Sequence, residues 1–327
     1  MAAVIERAAI VGAGVIGSAW AARFALHGVD VKVLDPNPDT ERILGEVFDN
    51  ARAAWAALDL PDVAEGSVEL VETYDEACND AEWVQESAPE NVEMKRSILR
   101  QIDDACDHDA VIASSTSGIK PSDLQEGMSH PWRLLVGHPF NPVYLLPLVE
   151  VCAGEQTTRA SVDRAVEVYA SVSMKPLEVR VEIDAFIADR LLEAVWRESL
   201  WLVNDGVATT EEIDDAIRYG FGLRWAQMGL FETYRVAGGE GGMGHFVRQF
   251  GPTLSWPWTK LMDVPELTDE LVDRIEAQSD AQSGAHSIRE LERIRDRNLV
   301  GILRALETND WGAGETLARQ RRSLSDD

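Results

Sequence analysis

The run Gly12-Ala13-Gly14-Val15-Ile16-Gly17 follows the apolar stretch Ala8–Val11 directly and precedes Ser18–His27, where Trp20, Ala21 and Phe24 recur at helical spacing. Glycines at these intervals, in this setting, suit a strand, a tight turn and a helix. The first allows the reversal, the second lets a ligand reach the backbone, and the third lets helix and strand pack closely. Gly28 stands where such a helix would end, and Val31–Leu34 supplies the next apolar run. Glycines cluster in many surface turns, so the spacing alone is weak. Its place between a strand and a helix, with Asp35 closing the second strand, predicts a dinucleotide-binding unit. Phosphates would face the open amides of the helix N-terminus. Asp35 would accept from a ribose diol and repel a 2′-phosphate, and Pro36-Asn37-Pro38 brings no cation to offset that. The expected cofactor is NAD, held by Gly12, Ala13, Gly14, Val15, Ile16, Gly17 and Asp35.

Further apolar runs at Trp83–Glu86 and Val111–Ser114 alternate with amphipathic stretches. That alternation reads as βαβ units in a parallel sheet. Leu134–Phe140, Leu148–Cys152 and Leu177–Val181, around a helix at Arg159–Ser173, extend the same sheet. After Ile183 the period becomes helical, with Ile187, Leu191, Val195 and Leu202 on one face. Asp205-Gly206 ends that helix, and Thr209 with Glu212 forms a capping-box pattern that starts the next. Gly238–Trp258 interrupts the helices and Asp269–Glu307 resumes them, while the tail from Arg321 to Asp327 frays. The fold class expected is α/β: a Rossmann-type doubly wound sheet in residues 1–184, then an all-α domain in residues 185–327.

A net charge of −27 repels nucleic acid and anionic membrane surfaces, so neither is expected as a partner. No apolar run nears the ~18 residues of a membrane span, and the first strand begins too early to leave room for a secretory leader. Cys78, Cys106 and Cys152 are widely spaced, without a zinc or redox pattern. A soluble, cytoplasmic chain without a metal is expected.

Val136-Gly137-His138-Pro139-Phe140-Asn141-Pro142 places an imidazole at a strand end, and Leu148-Val149-Glu150-Val151 places a carboxylate on the next strand. An isolated histidine is usually a packed or surface residue. One held by a glutamate has a fixed tautomer and raised basicity, which suits removal of a hydroxyl proton during hydride transfer. Taken with Ser114-Ser115-Thr116-Ser117-Gly118 and the glycine turn, these motifs resemble the 3-hydroxyacyl-CoA dehydrogenase family over nearly the whole chain. The resemblance implies that Ser117 holds the substrate oxygen, His138 is the base or acid, and Glu150 orients His138. It also implies that Glu90 and Lys95, in Glu90-Asn91-Val92-Glu93-Met94-Lys95, lie at the cofactor ribose, and that the helical domain carries substrate contacts and pairs two chains into a homodimer.

One departure bears on substrate. The fatty-acyl enzymes carry an asparagine in a G-F-I-x-N-R-L pattern, where this chain has Ala185-Phe186-Ile187-Ala188-Asp189-Arg190-Leu191. Ionised aspartate accepts hydrogen bonds but cannot donate them. Leu223–Ala226 and Gly238–Met243 are instead similar both to lambda-crystallin, an L-gulonate dehydrogenase, and to bacterial L-carnitine dehydrogenases, and Tyr219–Gly229, Phe231–Tyr234 and Ser255–Trp258 most closely resemble the carnitine branch. That implies NAD-dependent oxidation of the 3-hydroxyl of L-carnitine. Phe221, Trp225, Phe231, Tyr234, Trp256 and Trp258 offer aromatic faces for a quaternary ammonium, most of them expected in the core. Asp189 is a candidate counter-charge and Arg224 a candidate carboxylate partner. The short stretch after Trp311 leaves no fused thioesterase-like extension expected, although some of those enzymes carry one. Dehydrogenation of L-gulonate or a 3-hydroxyacyl-CoA is the alternative reaction, and a crystallin-like NAD-binding structural protein the non-enzymatic one.

Overall fold

A computed structural model describes residues 3–238, 242–250, 257–260, 268–271, 273, 285–286 and 288–325. Eight strands form one sheet in the order β3-β2-β1-β4-β5-β6-β7-β8. The strands are β1 (Arg7–Val11), β2 (Asp30–Leu34), β3 (Val68–Val71), β4 (Trp83–Glu86), β5 (Val111–Ser114), β6 (Leu134–Pro139), β7 (Leu148–Ala153) and β8 (Lys175–Val179). All neighbours are parallel except β6 and β7. The first six strands follow the doubly wound order, whose chain reversal lies between β1 and β4 and opens a crevice at the strands' C-terminal ends.

Helix α1 (Val15–Ala25) crosses from β1 to β2 with Trp20, Ala21, Ala22, Phe24 and Ala25 all enclosed. It is apolar on nearly every side because sheet and neighbouring helices cover it. Gly28 turns the chain back at φ +82°, as its position after the helix implies. On β4, Gln85 is buried yet satisfied: its amide donates to Ser115 Oγ at 2.8 Å, and its oxygen accepts from Tyr169 at 2.9 Å. The sheet runs on through α2 (Thr40–Ala57), α3 (Tyr74–Cys78), α4 (Val92–Ala105), α5 (Pro121–Leu124) and α6 (Arg159–Ser171).

Two differences from the sequence expectation are local. Strand β3 (Val-Glu-Leu-Val) escapes the sequence pattern because it is only four residues long, and it lies at the sheet edge with Val68, Glu69 and Leu70 exposed. The last strand starts at Lys175 rather than Leu177, with Pro176 inside it. An edge strand tolerates proline, since one side needs no ladder donor.

The chain separates into two compact units, residues 1–189 with 295–327, and residues 190–294. Segment 185–327 therefore contributes to both. In the first unit, Val300 and Leu303 of α11 (Ile288–Thr308) and Leu317 of α12 (Ala313–Ser325) pack with Ala54, Leu58 and Leu145. Arg321 ties this cluster by donating to Leu58 O at 2.6 Å and Glu307 at 2.9 Å. The second unit holds most of α7 (Ala188–Asn204), then α8 (Thr210–Ala216), a π-turn, α9 (Gly222–Ala237) and α10 (Gly242–Phe250). Thr209 and Glu212 form the reciprocal cap that the sequence predicts. Helix α10 lies inside the stretch expected to break the helices, so the glycines there do not prevent helix formation. No helix among the described residues is long and apolar enough to cross a membrane.

Candidate active site

The glycine turn has the shape of a phosphate cradle. Gly12 has φ +90°, and a Cβ on it would meet the Ser87 and Ala88 backbone at 2.8 Å. At Gly17 a Cβ would sit 1.8 Å from Gly12 O, whereas at Gly14 it would meet nothing within 4 Å. The first and third glycines are thus required by packing and the second faces open space, which is where a pyrophosphate would approach. Helix α1 has neither a side-chain cap nor an acidic residue in its first turn, so its free amides suit an anion. Asp35 closes β2 and accepts from Ala13 N at 2.6 Å and Asn37 N at 2.7 Å. Its carboxylate therefore also fixes the turn it was expected only to adjoin, with acceptor capacity left for a ribose.

Glu90 and Lys95 occupy different environments. Glu90 Oε1 accepts from Thr116 Oγ1, Ser117 N (3.1 Å) and Gly118 N (3.2 Å), which fastens the loop after β5. Lys95 is 1% exposed and donates to both Glu86 oxygens at 2.9 and 3.1 Å and to Ala88 O at 2.9 Å. All three ammonium hydrogens are used, so Lys95 braces the loop after β4 rather than presenting a charge to solvent. Glu86, which also accepts from Ser114 Oγ and Ala88 N, was not singled out from the sequence. Its signal was a carboxylate at the end of a strand that begins Trp-Val.

The antiparallel pairing of β6 and β7 sets His138 directly opposite Glu150. Opposed residues on one face approach closely, and His138 Nδ1 lies 2.9 Å from Glu150 Oε2. The other Glu150 oxygen accepts from Ile187 N and Ala188 N, both at 3.0 Å, at the start of α7. Ala185 and Phe186, at φ +59° and +47°, make the turn that aims these amides. Glu150 is fully buried. Burial pushes its carboxyl up, but hydrogen bonds from His138, Ala188 and Ile187 outweigh that and hold it below the usual carboxylate range. It stays ionised and favours an imidazole with hydrogen on Nδ1, which leaves Nε2 as the basic atom.

A carboxyl group with a folded pKa below its unfolded value stabilises the fold above the unfolded pKa, and that contribution disappears as pH falls through the folded value. Glu150→Gln should therefore show a flatter loss of stability than the parent below about pH 4.3. Urea midpoints measured from pH 6 to 3 test this, and parallel curves would refute it.

His138 is 4% exposed, with Phe140 and Phe186 at ring-centroid distances of 5.0 and 5.8 Å. Its Nε2 lies 3.6 Å from Asp189 Oδ2, within ion-pair range and beyond hydrogen-bond reach. Asp189, the candidate counter-charge, thus stands beside the His138 ring. Ser117 is exposed in the loop after β5, and among the described residues its hydroxyl has no partner within the chain.

Residues 7–183 match the 3-hydroxyacyl-CoA dehydrogenase NAD binding domain, and residues 186–284 match the C-terminal domain of the same name. The chain belongs to the 3-hydroxyacyl-CoA dehydrogenase family. It is 60% identical over 318 residues to an L-carnitine dehydrogenase/betainyl-CoA thioesterase of Ruegeria pomeroyi, covering 97% of this chain and 65% of that one. An L-carnitine dehydrogenase from a Pseudomonas species is 50% identical, with 96% and 98% covered. The chain spans just under two thirds of the first of these relatives. A crystal structure of 5-formyl-3-hydroxy-2-methylpyridine 4-carboxylic acid 5-dehydrogenase, an NAD+ dependent dismutase, has a TM-score of 0.80 at 28% identity, covering 93% of this chain and 99% of that one.

Among the described residues of the second unit, the aromatic substrate candidates enter two ring contacts. Phe221 packs on Trp225 at 4.5 Å, and Tyr234 stacks on Phe246 at 4.6 Å, as two separate pairs. Phe231, Trp258 and Arg224 are exposed, and Trp256 lies outside the described residues. Sequence pattern also left Phe140 without a role, although it stands inside the His138 motif.

Proposed function

We propose that this chain oxidises the 3-hydroxyl of L-carnitine to 3-dehydrocarnitine, with NAD as the acceptor. The observation that carries the reading is His138, oriented by Glu150 through Nδ1 and flanked at Nε2 by the carboxylate of Asp189. The names of the relatives at 50–60% identity support the same substrate. When bound, NAD supplies the hydride acceptor. Gly12, Ala13, Gly14, Val15, Ile16 and Gly17 hold its pyrophosphate, and Asp35 takes the ribose diol and disfavours a 2′-phosphate. Glu90 and Lys95 act on this site by fixing the loops after β5 and β4.

In the reaction, Nε2 of His138 takes the proton from the 3-hydroxyl while Ser117 donates a hydrogen bond to that oxygen. Glu150 stabilises the imidazolium that forms. We further place the enzyme in the cytoplasm as a homodimer paired through its helical segment. Three free cysteines fit a reducing compartment, and exposed Leu191, Leu192 and Trp196 on α7 are the apolar surface that pairing would cover.

Initial rates of NADH formation with L-carnitine, L-gulonate and 3-hydroxybutyryl-CoA, compared side by side, test the substrate. The kcat/KM for L-carnitine is expected to exceed the others by at least about 100-fold, since the polar groups of a mismatched site are left unpaired. A higher value with either of the others rejects the proposal, and no rate with any of them favours a non-enzymatic role.

A further inference from the structure

We infer that Asp189 and Phe140 form a cation subsite at the reacting centre. They select short 3-hydroxy acids that carry a fixed positive charge on the carbon next to the hydroxyl-bearing one. The inference rests on the proposed role of His138 as base and names the group that decides which hydroxyl compounds reach it.

The placement follows from distances. A hydroxyl giving its proton to His138 Nε2 lies about 2.8 Å from that atom. In a 4-ammonio-3-hydroxy acid the cationic nitrogen and the hydroxyl oxygen sit on adjacent carbons, about 3 to 4 Å apart in staggered rotamers. The charge of such a substrate therefore falls within roughly 7 Å of Nε2 however the molecule turns about that bond. Asp189 Oδ2 is already 3.6 Å from the same nitrogen. With the hydroxyl on Nε2, a gauche rotamer brings the ammonium against this carboxylate. A charge further along the substrate chain would pass it.

The chemistry matches in kind as well as in position. A trialkylammonium group has no hydrogen to donate, so it is held by charge and by polarisable or π surface. Asp189 supplies charge without any donor that would go unused. Its side chain is 25% exposed and so reachable, while the turn at Ala185 and Phe186 and the start of α7 fix where it stands. Phe140 packs against the His138 ring at 5.0 Å and is only half-buried, which leaves ring surface next to that imidazole. Phe186, the other ring on His138, is fully buried and serves as support. An acyl thioester brings no positive charge to this place, and its enolisable carbonyl side would meet an anion.

The probe that isolates the charge is the carbon isostere of L-carnitine, 3-hydroxy-5,5-dimethylhexanoate of the same hand, in which a quaternary carbon replaces the nitrogen. The parent enzyme, Asp189→Asn, Asp189→Glu and Phe140→Leu are assayed with both compounds, and NADH binding by fluorescence confirms a folded cofactor domain in each. The ratio of kcat/KM for L-carnitine over the isostere is expected to fall about 10- to 100-fold in Asp189→Asn, chiefly through KM for carnitine. It should fall less in Phe140→Leu and be largely kept in Asp189→Glu. Equal losses for both compounds in Asp189→Asn would mean that the carboxylate acts through His138, and would overturn the subsite. So would an unchanged carnitine rate in that variant. A parent enzyme inactive on L-carnitine overturns the proposed reaction along with the subsite, whereas an active parent whose ratio survives Asp189→Asn overturns the subsite alone.

Discussion

His138→Ala is expected to lower kcat for the proposed oxidation by about 10²- to 10⁴-fold, the usual contribution of a positioned general base. It should leave NADH affinity within a few-fold of the parent, because the residues proposed to hold the cofactor lie at the ends of β1 and β2 and do not include this ring. The two readouts separate chemistry from folding. The substitution removes a ring packed between Phe140 and Phe186, so some stability is lost too, and His138→Gln provides a variant closer in volume. Both variants should be slow. Without the imidazole, Glu150 remains fastened by Ile187 N and Ala188 N and cannot swing across to serve as the base itself. Turnover within tenfold of the parent in His138→Ala would remove the residue from the mechanism. Loss of NADH binding with loss of turnover would instead give it a structural part.

The fold was legible wherever burial leaves a mark on residue type. Strands β1, β4 and β5 are buried on both faces and were visible as compact buried runs, whereas β2 was visible through the alternation of Val31, Val33 and their more exposed neighbours. Strand β3 is too short to stand out although three of its four residues are apolar, and Pro176 hides the start of β8. The site was legible in its parts more than in its assembly. His138 and Glu150 were each recognisable, but their contact depends on the register of an antiparallel pair inside a mostly parallel sheet. Nothing in residue spacing places Asp189 at Nε2, since that depends on two non-glycine residues held at positive φ just before α7. Lys95 was misleading for a related reason. A lysine near a helix start normally reaches into solvent, and here a buried carboxylate on the neighbouring strand draws it inward.

That pair supports the second large effect. Lys95→Met should destabilise the protein by about 3 to 5 kcal/mol, because it strands the Glu86 carboxylate in a fully buried position with no cation. This is a large part of the roughly 5 to 15 kcal/mol that holds an ordinary domain together. The ammonium also satisfies Ala88 O, and the Ala88 backbone packs against Gly12 so tightly that no Cβ fits between them. Weaker NADH binding should therefore accompany the lost stability, although Lys95 has no hydrogen left to offer the cofactor. The double variant Lys95→Met with Glu86→Leu removes the stranded charge and should recover much of the loss, since apolar replacement of a buried pair is often close to neutral. Urea unfolding of the two variants and the parent measures both terms. A single-variant loss under about 1 kcal/mol, or a double variant no better than the single, would show that the pair is not the brace the geometry makes it, and that water reaches Glu86 once the lysine is gone.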